Sequence, residues 1–257
     1  SRGLGDVYKR QIRSSAFDSR ASSGSEKMTL DGTVNKTAIM LAILISTAAI
    51  SWNFPSPFIV MVSYIGIFTA GIASVATFGF WMPFIGFIIN PRPYLAPKTW
   101  LVFAFGEGFF IGLISLQFET MFPGIVLEAV SLTFCVAATL LFLYKSGIVK
   151  PTQNFVLMLC SAIFGIFLFY IGIFIYSLVT GVSPEIFSGN SNASIGLSLF
   201  IVAMAAFSLV LDFDIIEQSA EYGSPKYMEY FGAMALVTTL IWLYIEILRL
   251  LAKLRSR

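Results

Sequence analysis

The sequence predicts an all-α integral membrane protein with seven transmembrane helices. Two observations predict it. The chain of 257 residues is 57% hydrophobic and 12% charged, about half the charge of an ordinary soluble domain, and its mean hydropathy is +0.85. A water-soluble fold of that composition would lack the polar surface to cover itself. The apolar residues also fall in runs of about twenty, which is the length of a bilayer crossing rather than of a core helix. The chain contains no histidine, and this excludes Ser-His catalysis, H-E-x-x-H zinc sites and histidine-ligated haem. The two cysteines, Cys135 and Cys160, lie inside apolar runs and read as small packing residues. The net charge of +2 says little, because six of the sixteen basic residues lie in the first 27; no nucleic-acid partner is expected.

Residues 1–32 are polar, rich in Ser and Arg and without apolar period. They are expected to be a disordered N-terminal tail ahead of a seven-helix domain over 33–257. Residues 1–11 resemble an assembly artefact translated in frame, and Met28-Thr29-Leu30 reads as a natural start; the alternative is a basic cytoplasmic tail. No apolar stretch precedes Met28, so no signal peptide is read there.

The first span is predicted over 38–52, with Thr33 or Asn35 as its cap and Lys36 at the headgroups. The second apolar stretch, 57–89, holds 33 residues without a charge. That is about 50 Å of helix, against about 30 Å for one crossing. One long helix is expected, kinked near Pro83 or lying partly along the interface; two short crossings are the alternative. The third span covers 100–118, and after the Pro123-Gly124 turn the fourth covers 125–144. A basic loop over 145–151 leads to the fifth span, 155–179. A loop rich in Gly, Ser and Asn leads to the sixth, 195–211. An acidic segment over 212–229 precedes the seventh, 230–250.

Lys and Arg alternate between connections, which orients the N-terminus to the cytoplasm. The conflict is Arg249, Lys253, Arg255 and Arg257, which seven crossings would place outside. Gly108-x-x-x-Gly112 should allow close approach of a neighbouring helix, and Gly165 and Gly172 share a face that could do the same. Trp52, Trp81, Trp100 and Trp242 suit interfacial belts.

Ionisable groups within a bilayer are expensive, so each is a functional candidate. Glu107 lies well inside the third span; it is either functional or a neutral hydrogen-bonded pin between helices. Glu128 is read as snorkelling and Glu229 as interfacial. The densest cluster is Leu211-Asp212-Phe213-Asp214-Ile215-Ile216-Glu217, continuing to Glu221. At 100° per residue Asp214, Glu217 and Glu221 share a face, whereas Asp212 points elsewhere and is deepest. Carboxylates suit Ca²⁺ or proton relay, so Asp212 is a candidate proton switch and transient calcium ligand. Glu217 and Glu221 read as a solvated rim. Glu246 either pairs with Arg249 three residues on or faces Asp212 as a gate carboxylate.

Several segments resemble the Bax inhibitor-1 family, most closely its bacterial YccA-like branch. They are Asn35-Lys36-Thr37, Glu107-Gly108-x-x-x-Gly112, Leu211 to Gln218, Pro225-Lys226-Tyr227-Met228-Glu229, and Trp242 to Leu251. The resemblance covers the chain from Met28 onward and implies seven helices with the last at the centre. It implies a pH-sensitive calcium leak gated by two aspartates that share a proton and titrate as a unit. Asp212 matches the first aspartate. The second falls on Thr238 or Thr239, which can hydrogen-bond a protonated Asp212 but cannot share its charge.

The reading is therefore a passive calcium or cation pathway in a bacterial inner membrane. Protonation of Asp212 gates it, with Glu107 or Glu246 as partner and Asp214 on the ion path. No cofactor is expected beyond transient Ca²⁺. The rival is a non-conducting scaffold that binds a membrane protease or another membrane protein. An enzyme is not expected: besides the missing histidine, the chain lacks the Gly-x-Gly-Asp motif of intramembrane aspartyl proteases.

Overall fold

A computed structural model describes residues 26–78, 92–182 and 184–257. Among these, seven helices are long and apolar enough to cross a membrane. They are α1 (Leu30–Asn53), α2 (Pro57–Phe78), α3 (Ala96–Met121), α4 (Ile125–Lys145), α5 (Gln153–Thr180), α6 (Asn192–Glu221) and α7 (Tyr227–Arg255). A 3₁₀ turn, Pro93–Leu95, leads into α3, and a single helical turn, Glu185–Ser188, lies between α5 and α6. Seven crossings place the two chain ends on opposite faces, called here the N-side and the C-side.

Local chemistry explains the helix ends. Thr29 caps α1, its hydroxyl accepting from the Gly32 amide at 3.0 Å, so the helix begins earlier than Thr33 or Asn35 would set it. Thr152 and Ser191 cap α5 and α6 in the same way. Gly124 and Gly181 take positive φ at tight turns, where a side chain would be strained. The second crossing is a helix of 22 residues. The expected kink at Pro83 lies outside the described residues, as do Trp81 and residues 1–25 of the N-terminal tail.

The sixth helix differs most from expectation. It runs ten residues past Leu211, through the acidic segment, to Glu221. Asp212 is therefore a mid-helix residue about 14 Å from the end of α6, not part of a loop.

The last helix is central. More than half of its most apolar stretch is buried, against 11% for α5, and it packs on α1, α3, α4 and α6. One apolar core gathers Ile111, Ile125, Leu209, Leu243 and Leu248 from α3, α4, α6 and α7. A second joins Met40, Phe103, Met234 and Val237 from α1, α3 and α7.

Small residues set the α1–α3 spacing. A Cβ on Gly108 would run into the Thr47 hydroxyl and lie 2.6 Å from the Leu44 carbonyl, and one on Gly112 would meet Ser51 and Ala48. Gly165 and Gly172 are not packing glycines in this fold, because a Cβ at either would meet nothing within 4 Å. Their face of α5 has no close helix against it.

Candidate functional site

The site is built where α6 and α7 cross in the middle of the bundle. The two helices run antiparallel. Ile216 sits against Gly232, where a Cβ would come 2.9 Å from its Cγ1, and the Lys253 ammonium donates to Ser198 Oγ at 2.8 Å. Between these contacts the Asp212 carboxyl faces the Thr239 hydroxyl. Of the two threonines left open by the sequence, Thr239 is the one at the site. It is buried and lies about 18 Å along α7. Thr238 turns its hydroxyl back to the Met234 carbonyl at 2.7 Å.

Asp212 Oδ2 is buried and has no hydrogen-bond partner. Such orphans are rare, and a carboxylate oxygen without a donor is costly if the group is charged. The surroundings explain why none is supplied: Leu209, Val210 and Ile216 are buried on the same helix.

Glu107 approaches from α3. That helix runs parallel to α7, with Trp100 edge-on to Tyr230 at 5.3 Å and Ser115 Oγ 2.7 Å from Tyr244 Oη. Between these contacts Glu107 is level with Leu236 and Val237, at the depth of Thr239. Among the described residues it makes no hydrogen bond or ion pair. Two carboxyl groups within apolar helices, Asp212 and Glu107, thus lie at similar heights along α7 on different helices.

The other predicted acids are elsewhere. Glu246 does not face Asp212. Both its oxygens lie 3.0 Å from Arg249 Nη1, and Tyr170 Oη donates to it at 2.7 Å. Glu246 is a full two turns beyond Thr239 toward the C-side, and the nearer Arg249 takes its charge. Asp214 faces away from the site as well. It accepts from Tyr144 Oη of α4 at 3.3 Å and from Gln218 at 2.5 Å, and Glu217 also accepts from Tyr144. Glu128 pairs with Arg255 at 2.6 Å instead of remaining free.

Glu229 is buried within the protein, 2% exposed. It forms an ion pair with Lys36 of α1 and accepts from the Thr29 amide at 2.9 Å and the Thr29 hydroxyl at 3.0 Å. Lys36 lies over the Tyr230 ring at 4.5 Å instead of reaching the headgroups. Just below, Met28 packs against Ile216 and Met228. Met28 and Thr29 thus close the N-side end of the α6–α7 seam, one turn from Asp212. Sequence reasoning missed this pair because the partners are 193 residues apart, although both stand in segments that it had singled out.

Among the described residues, no group of three or more Asp, Glu or Cys side chains is arranged to hold a metal ion.

Six apolar helices packed around a buried seventh, with a carboxyl on the sixth facing it, define an integral membrane protein of the α-helical class. The family model described as Bax inhibitor 1 like matches residues 9–256, and the chain belongs to that family. No curated protein matches it.

Proposed function

We propose that this protein is a passive, pH-sensitive pathway for calcium or a similar cation, gated by the charge on Asp212. The observation that carries the reading is the orphaned Oδ2 of Asp212, buried opposite Thr239 inside the helix bundle. The closed seam suits an uncharged carboxyl. An ionised one needs water or a cation beside it, and both require α6 and α7 to separate. Charge on Asp212 and opening of the seam are therefore coupled, and Glu107 supplies a second acid at that depth. Thr239 provides a hydrogen bond but no second charge, so the switch rests on one carboxyl where the family pattern has two.

We place the protein in a bacterial inner membrane with its N-side in the cytoplasm. Three of the four C-terminal cations that oppose this orientation have internal partners. Arg249 pairs with Glu246, Arg255 with Glu128, and Lys253 donates to Ser198. They weigh less as free flanking charges.

The test is calcium flux into liposomes that hold the purified protein and a trapped dye, measured across pH. Wild type should conduct more as pH rises, and Asp212→Asn should conduct little at any pH. An Asp212→Asn flux and pH profile equal to wild type overturns the gate. Absence of wild-type flux together with a reproducible co-purifying membrane protein would favour the scaffold reading instead.

A further inference from the structure

A cleft separate from the Asp212 site opens between α1 and α4. Both helices pack on α7, but they are not packed on each other. The gap is a cavity of about 420 Å³, within the range of ligand sites, about 300–1,000 Å³. The space is an apolar groove open on one side, not an enclosed hollow.

Its dimensions and chemistry identify what fills it. On α1 the lining runs from Leu41 to Asn53. That is about 18 Å along the axis, little more than half of a hydrocarbon core of about 30 Å. The cleft therefore spans one leaflet, from mid-membrane to the C-side surface. Trp52 and Asn53 stand at the surface end, where amphipathic side chains meet headgroups.

Nothing in the lining invites water or an ion. Ser115 and Tyr244 bond each other at 2.7 Å, Thr133 bonds the Ala129 carbonyl at 2.7 Å, and Asn53 bonds the Ala49 carbonyl at 2.8 Å. The mouth is formed by exposed Ile45 and Phe134. At this depth, lipid is the surrounding medium.

We propose that the cleft binds one acyl chain of a bilayer phospholipid. The chain enters sideways between α1 and α4, with its headgroup at Trp52 and its tail ending near Leu41, at the deep end of the lining. This inference is independent of whether the protein conducts.

Trp52 is the reporter. In a protein keeping only this tryptophan (Trp81, Trp100 and Trp242 replaced by Phe), phosphatidylcholine with brominated acyl chains is titrated into maltoside micelles. Saturable quenching at about one lipid per protein is expected. Ala49→Phe fills the mouth from an exposed position and should lose at least tenfold in apparent affinity. Ser46→Phe, exposed but outside the cleft, should bind as the parent does. Native mass spectrometry of the unmodified protein supplies an independent reading, with one retained phospholipid expected. Quenching that rises linearly with micelle content, equal quenching in Ala49→Phe, or quenching by brominated free fatty acid alone overturns the proposal.

Discussion

Removing the Lys36 charge tests whether the start of α1 is locked to α7. Glu229 is 3% exposed at its side chain and Lys36 is 14% exposed, so solvent screens the pair weakly. Lys36→Met leaves a buried carboxylate held only by the two donors of Thr29. Breaking one side of a buried pair typically costs about 3–5 kcal/mol, and the two surviving bonds place this case near 3. Glu229→Gln keeps an acceptor for Thr29 and loses less, about 2 kcal/mol, the worth of a hydrogen bond to a charged group. The double variant has no buried charge left unpaired and should cost well under the sum of about 5, with a coupling of at least 2 kcal/mol. Unfolding in mixed SDS and maltoside micelles gives the four stabilities. Additivity within about 0.5 kcal/mol, the behaviour of independent sites, would refute the lock.

Two further outcomes follow from the geometry. Gly108→Ala should destabilise by about 1–3 kcal/mol through overpacking against Thr47 and Leu44, whereas Gly165→Ala, which meets open space, should be neutral or stabilising by up to about 1 kcal/mol; the same micelle assay reads both. Thr239→Asp should restore a carboxyl pair opposite Asp212, so that flux in liposomes acquires the broadened, two-step pH profile of a coupled dyad, while a single-step profile unchanged from wild type would count against the facing of Asp212 and residue 239.

Much of the architecture was legible because a bilayer imposes one-dimensional rules. Each crossing needs its own apolar run, and every backbone amide must be satisfied within a helix. Composition therefore located all seven spans. Helix ends were less legible, as α6 shows: it continues ten residues past Leu211, where Tyr144 of α4 donates to Asp214 and Glu217. A polar run on a helix and a polar loop look alike until the neighbouring helix is known.

The acids divide in the same way. The sequence by itself determined that Glu107 lies deep in an apolar span and Asp212 at the end of one, that no histidine is present to titrate near neutral pH, and that no second aspartate stands on α7. Only the tertiary structure decided that Thr239, not Thr238, faces Asp212. It also decided that Glu246 belongs to Arg249 and Tyr170, that Glu229 is buried against Lys36, and that Gly108 packs while Gly165 does not. Depth follows from position along one helix, which the chain encodes locally. Facing depends on how two helices far apart in sequence are rotated against each other, and packing of the whole bundle sets that rotation.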